Sequence, residues 1–411
     1  VGNGAICICT PIPEYERLRI GIKESGRVNG GSMSKTDVLF SNCVLVDNQL
    51  FVIDTQSGLP AIMNPISGKL TYCEVFQNFI WKDGDVIDFM KEYEGDIYAL
   101  EMTGDNLVIF DLQKQQCIYI SLNCNYHEWG NFVAFERIGS DFYIFPKYGN
   151  KIYTFNAKDR KIVVIEGPLG EKEEIQCACR DKNQERLLSQ DGSKLYIYNL
   201  LENKWKIYNF NRGIRDCINC ISRGESIYFI NILGILYKWN IDEEGIQEIT
   251  TLERLFSETE TVSRIVSAGN SLIILPSVGR DIKIMNLLTS EMEIYHDYPV
   301  DFVYYDIEWS KYYGNCEDEE YYYFAMRRGN YFLKIRKADG KFFWIKPRIP
   351  DEKKRNDFLI QYQMKSYSYN KEKILYEDTG YLASWLKYML VDNSISNNCT
   401  GIGKKIYGEW G

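Results

Sequence analysis

Four cysteines stand where thiolate chemistry is conceivable: Cys177 and Cys179 in "EIQCACR", and Cys217 and Cys220 in "DCINCISR". Four thiolates can hold zinc tetrahedrally. The spacing speaks against it. One intervening residue puts Cys177 and Cys179 on one face of a strand, but two send Cys217 and Cys220 to opposite faces unless a bulge intervenes. Small side chains also suit a crowded inner strand, so packing is the expected role and no metal is expected. The same holds for Cys7 and Cys9 near the start of the chain.

Histidine chemistry has little material, because His127 and His296 are the only two. The stretch "HEWGN" lacks the second histidine of a zinc-protease helix. Asp85, Asp88, Asp301 and Asp306 fall on expected inner strands, where a carboxylate pair could cleave a glycosidic bond. Aspartates at strand starts more commonly form turns. The "GIGKK" near the end lacks P-loop spacing. No cofactor is expected.

A recognition surface is the better use of the remaining candidates. Trp81 and Trp129 lie 48 residues apart, at equivalent positions in successive repeats. His127, Tyr148, Arg280, Arg327 and Arg328, with Lys82, Lys147, Arg212 and Arg215, fall in turns or connections expected to emerge on the same face. Exposed aromatics beside arginine commonly anchor protein recognition. The competing expectation is that both tryptophans cap junctions and the arginines are merely solvated.

The elements that position these residues recur. Gly58, Gly104, Gly149, Gly192, Gly234, Gly279 and Gly329, 42 to 50 residues apart, each sit between two strand-like runs. The second run usually closes on Asn64, Asp111, Asn156, Asn199, Asn240 or Asn286, whose side chains can start a turn, and Arg336 departs from the rule. A further run follows each pair, as in "KWKIYNF", and another precedes it, as in "EIQCACR" or "DFVYYDI". Four strands about every 45 residues match a propeller blade, which must bury both sheet faces against neighbours.

The reading is therefore all-β: a seven-bladed antiparallel β-propeller with a C-terminal helix-containing tail. Its parts are residues 1–35 as a leader or fused peptide with linker, 36–349 as the propeller, and 350–411 as the tail. The tail's helix is expected around Leu382, Trp385, Leu386, Met389 and Leu390, capped by Asp378 or Thr379.

The phrase "KLYIYNLLENKWKIY", with its aromatic strand, Asx-containing turn and Trp205 opening the outer strand, resembles the Kelch-type blade over roughly residues 37–349. The resemblance implies a binding scaffold more than a reaction.

Composition narrows the partners. With 48 Lys plus Arg against 57 Asp plus Glu, the net charge of −9 disfavours nucleic acid and anionic membrane. The longest apolar stretch, "IYFINILGILYKW", is too short to span a bilayer. Twelve scattered cysteines suit reduced thiols in the cytoplasm. The expected function is a non-catalytic protein- or peptide-binding scaffold. The alternative is an enzyme acting on a peptide or carbohydrate at the channel, with the N-terminal segment as an in-cis peptide ligand.

Overall fold

The computed structural model describes residues 40–54, 59–74, 76–79, 87–102, 104–124, 131–170, 173–210, 212–241, 245–249, 260–304, 312, 314–326 and 329–349. The chain divides into two compact units, Val1–Glu352 and Lys353–Gly411, and every described residue belongs to the first. The expected leader and C-terminal helix lie outside the described residues.

Seven sheets follow one another, each of four consecutive antiparallel strands. Blade 1 holds β1 (Phe40–Val46), β2 (Gln49–Asp54), β3 (Pro60–Met63) and β4 (Leu70–Tyr72). Blade 2 holds β5 (Ile87–Tyr93), β6 (Asp96–Glu101), β7 (Asn106–Asp111) and β8 (Gln116–Ser121). Blade 3 holds β9 (Phe132–Ile138), β10 (Asp141–Pro146), β11 (Lys151–Asn156) and β12 (Lys161–Glu166). Blade 4 holds β13 (Ile175–Asp181), β14 (Gln184–Ser189), β15 (Lys194–Asn199) and β16 (Lys204–Asn209). Blade 5 holds β17 (Cys217–Arg223), β18 (Ser226–Asn231), β19 (Leu236–Asn240) and β20 (Gln247–Glu248). Blade 6 holds β21 (Thr261–Ala268), β22 (Ser271–Val278), β23 (Lys283–Asn286) and β24 (Met292–Ile294). Blade 7 holds β25 (Gly314–Glu317), β26 (Tyr321–Ala325), β27 (Phe332–Arg336) and β28 (Phe342–Ile345). The blades form a seven-bladed β-propeller, and no helix occurs among the described residues.

Local chemistry writes each blade. Asn64, Asn156, Asn199 and Asn286 each accept two backbone N–H bonds through the side-chain oxygen, and Asp111 accepts one, closing the turn before the outer strand. Asn240 departs: its side-chain oxygen accepts from the Ser226 hydroxyl. At the Arg336 turn the work passes to Asp339, which accepts from the Lys341 N–H and the Arg336 guanidinium.

The core lies between blades, not inside any one of them. In β18, Ile227 and Phe229 pack towards blade 4, whereas Tyr228 and Ile230 pack towards blade 6. Period-two alternation thus buries both faces, which is why the second strands read as continuous apolar runs. Equivalent clusters fill the junctions 1–2, 2–3, 3–4 and 6–7.

Blades 1 and 7 meet without exchanging a strand. β1 lies against β25, and Phe40 meets the Phe332 ring edge-on at 6.3 Å. The chain leaving β28 then bonds beside β4: Leu70 N–H donates to Arg348 C=O at 2.8 Å, and Arg348 N–H to Gly68 C=O at 2.7 Å. The same parallel bridge joins Gln77, after blade 1, to β8 of blade 2. Closure therefore repeats an ordinary junction.

One expectation needs correction in detail. The described part of the run "DFVYYDI", residues 301–304, forms no strand; β25, "GNCE", is the inner strand of blade 7, and Glu317 ends it while 318–320 form the tight turn. Phe302 and Tyr304 instead join an aromatic cluster around Trp344, a tertiary use that overrides their strand-like spacing.

Inner strands also carry bulges that the spacing does not reveal, including those at Gln176 and between Cys217 and Asn219. The Gln176 amide donates to Ser189 and Ile214 carbonyls, both at 2.8 Å, and its oxygen accepts from Cys217 N–H at 2.7 Å. Blades 4 and 5 are thus clamped through one side chain. Gln176→Leu strips these partners and is expected to cost about 2 kcal/mol, read as a lower urea midpoint with unchanged slope.

Candidate functional site

The turns between second and third strands hydrogen-bond to the connections that enter inner strands, of the next blade at Lys147 and Gly149 and of the same blade at Asn330. Gly149 N–H donates to Glu173 C=O at 3.1 Å, Ile175 N–H to Lys147 C=O at 2.8 Å, and Asn330 N–H to Val303 C=O at 3.2 Å. Turns and connections therefore share a face of the propeller, and that face is the candidate interface.

Of the residues expected there, Trp81, His127, Trp129, Arg327 and Arg328 lie outside the described residues, as do Lys82, Asp85 and Asp306. Tyr148 sits in the blade 3 turn and bridges Glu174 through backbone pairing. The Lys147 ammonium lies 5.4 Å from its ring centroid and 3.0 Å from Glu174. Burial holds the Tyr148 hydroxyl above its ordinary pKa. Arg280 occupies the blade 6 turn. It is exposed, and its guanidinium stacks 4.8 Å from the Tyr298 ring centroid. Arg212 is spoken for by Glu248 at 3.0 Å.

The structure brings a further group to this face that sequence reasoning missed. Tyr298 stacks on Phe302 at 5.1 Å, and Phe302 contacts Trp344 at 4.9 Å, Tyr304 at 5.7 Å and Tyr331 at 6.1 Å. All five rings are half-buried. The Tyr298 hydroxyl donates to Arg280 C=O at 2.7 Å and accepts from Ile282 N–H at 3.0 Å, so the ring beneath the guanidinium is fixed. The only sequence signal was aromatic density in "YHDYPVDFVYY".

The candidates for chemistry are placed differently. Asp301 stands outside any strand, held by Lys346 and by the Tyr331 hydroxyl, which keep its carboxyl below the usual carboxylate range. Asp88 is in β5, and its carbonyl accepts from the Asn42 amide. His296 is exposed.

The four inner-strand cysteines do meet. The bulge beside Cys217, the exception that the spacing left open, returns Cys220 to the same face. Cys177 Sγ lies 3.3 Å from Cys217 Sγ and 3.5 Å from Cys220 Sγ, and Cys179 Sγ is 3.4 Å from the Ser222 hydroxyl. Burial pushes the Cys177 and Cys217 thiols up; contacts with neighbouring thiols lead the upward shifts of Cys179 and Cys220. Neutral thiols pack as small apolar groups. Among the described residues, no three His, Cys, Asp or Glu side chains are arranged to hold a metal ion.

Comparison with known proteins places the architecture. No protein-family profile matches the chain, and no curated protein matches it in sequence. Among solved structures it is similar to YCF48 bound to D1 peptide, at 9% identity and a TM-score of 0.52, covering 79% of this chain and 99% of that one. It is also similar to PorZ, a bacterial surface component of the type-IX secretion system of Porphyromonas gingivalis, at 11% identity and a TM-score of 0.51. That match covers 77% of this chain but only 39% of PorZ. The WD40 domain of Neurospora crassa Pan2 matches at 10% identity and a TM-score of 0.49, covering 74% and 92% of the two chains. At such identities the likeness concerns fold alone. No helix among the described residues is long and apolar enough to cross a membrane.

Proposed function

We propose that this propeller is a non-catalytic scaffold that binds a protein or peptide on the face where turns and inter-blade connections meet. The observation that carries the reading is Arg280: exposed, stacked on a fixed Tyr298 ring, and with no carboxylate partner among the described residues. A guanidinium held this way has lost little further freedom to a ligand, which favours tight pairing with an anionic group. Half-buried aromatic rings beside it supply apolar contact area. The peptide-bound propeller of YCF48 supports the same use of the fold.

Trp81, His127, Trp129, Tyr148, Arg327 and Arg328 are assigned to this surface with Arg280, by their positions in the repeat. The Kelch-like class is part of the proposal, supported by Trp205 opening β16 and packing on Tyr198 at 4.7 Å. Free thiols at every described cysteine support the cytoplasm as the setting.

Selection of a peptide library against the protein, followed by titration of the selected sequence, tests the reading. Arg280→Ala is expected to weaken binding by roughly thirtyfold, as removal of an interfacial arginine anchor costs about 2 kcal/mol. Arg137, whose guanidinium lies 5.5 Å from the Tyr93 ring and which bonds Gly139 C=O in a turn between first and second strands, supplies the control. Equal affinity for Arg280→Ala, or equal losses for Arg280→Ala and Arg137→Ala, would reject this face.

A further inference from the structure

At six of the seven blade junctions the chain runs on from one blade into the first strand of the next; at the junction between blades 7 and 1 the chain leaving β28 only hydrogen-bonds along β4. There the two inner strands, β1 and β25, lie side by side. Each presents a cysteine to the other: Cys43 Sγ lies 3.6 Å from Cys316 Sγ. Both thiols are free. Cys43 is 0% exposed and its Sγ also reaches towards Tyr323 C=O at 3.9 Å, whereas Cys316 is only half-buried. A half-buried cysteine is thus backed by a fully buried one across the single seam at which the chain does not run on from one blade's strands into the next blade's.

We propose that Cys43 and Cys316 form a thiol-oxidation site, at which a low-molecular-weight disulfide converts the two thiols into one disulfide that closes the ring covalently. Cys316, as thiolate, attacks one sulfur of the small disulfide and expels the first small thiolate, leaving a mixed disulfide on Cys316. Cys43 then gives up its proton and attacks the Cys316 sulfur, expelling the second. Two protein thiols and one small disulfide become one protein disulfide and two small thiols. The protein loses two electrons and two protons, and the small disulfide gains them.

Electrostatics sets the pace. Burial and the Cys43 contact hold the Cys316 thiol well above its ordinary pKa, while the nearby Lys91 ammonium opposes them. Exchange therefore quickens as the solution becomes alkaline, because only the thiolate attacks. The resulting link spans residues 43 to 316, a loop so long that its closure removes much of the freedom of the unfolded chain. Oxidation would convert a ring held by packing and backbone bonds into one that cannot open at its seam. This inference stands independently of the proposed binding face.

The test treats the full chain with oxidised glutathione at mildly alkaline pH and maps peptides without reduction. The expected product is a peptide pair joined through Cys43 and Cys316, two hydrogens lighter than its parts and separated by dithiothreitol. Unfolding in urea is expected to slow about tenfold or more on oxidation. Cys316→Ser should abolish both effects, and Cys43→Ser should stop at a stable glutathione adduct on Cys316. The Cys177 and Cys217 pair, 3.3 Å apart across an already connected junction, is the internal comparison. Linkage there without linkage between Cys43 and Cys316, or slowed unfolding that persists in Cys43→Ser, would overturn the proposal.

Discussion

Gly68→Ala is expected to open the ring at its seam, costing about 3–5 kcal/mol of stability. Two penalties combine. Gly68 has φ +70°, where an added Cβ costs roughly 1–2 kcal/mol. That Cβ would also stand 2.1 Å from Lys346 C=O, a backbone atom that cannot turn aside as a side chain would. Relief requires moving the chain after β28 away from β4, which breaks the Leu70 to Arg348 and Arg348 to Gly68 bonds. Gly95 separates the effects: its φ is +85°, but a Cβ there meets nothing within 4 Å. Gly95→Ala should therefore pay only the conformational part. Urea unfolding of the two variants checks this, and equal losses would show that closure at Gly68 contributes nothing. A domain stable by about 5–15 kcal/mol can tolerate the Gly95 change but is left marginal by the other.

The blades were legible because their signals are local. Asn156, Asn199 and Asn286 bond backbone groups only two or three residues away, so the turn is written where it is read. The alternating burial of Ile227, Tyr228, Phe229 and Ile230 is likewise a property of one strand, although it takes two neighbouring blades to satisfy it. Features that depend on distant partners were not legible. The bulge that aligns Cys217 with Cys220 is fixed in part by Gln176, some 40 residues earlier, and a slip of one residue reverses every face after it. The inner strand of blade 7 was misplaced for the same reason: "GNCE" has weak strand character, pairs with β26 and packs against β1 from the other end of the described chain.

The candidate interface was half legible. The strand grammar puts Tyr148 and Arg280 in turns, but nothing near Arg280 in sequence says that its guanidinium will rest on Tyr298. That ring comes from the connection beyond β24, fixed by bonds to Arg280 C=O and Ile282 N–H. Aromatic residues in a connection look like an irregular strand until the surface they cover is known. Phe302, stacked on Tyr298 and tilted against Trp344, belongs to both descriptions.

Glu185→Gln is expected to stabilise the protein at neutral pH, by an amount that grows with pH. Glu185 is 1% exposed, and its Oε2 has no hydrogen-bond partner among the described residues. Burial, then the Glu136 carboxylate, hold its carboxyl well above the usual range, while the Lys91 and Arg180 charges oppose them. Those cations are already engaged with Glu136, at 3.3 Å and 2.7 Å. The folded state thus keeps a proton that the unfolded chain releases near pH ~4.3. Above that pH the folded state binds more protons than the unfolded one, so this carboxyl's contribution to stability falls by about 1.4 kcal/mol per pH unit while it stays protonated. Glutamine cannot ionise and escapes this loss. Any fixed cost of its amide is the same at every pH. The stability difference between Glu185→Gln and wild type should be flat below pH ~4 and rise at that slope above it, as read from urea unfolding across the acidic to neutral range. A difference independent of pH would mean that Glu185 ionises as freely in the folded protein as in the open chain, and that Glu136 and Glu185 stand as two carboxylates against the Lys91 and Arg180 cations.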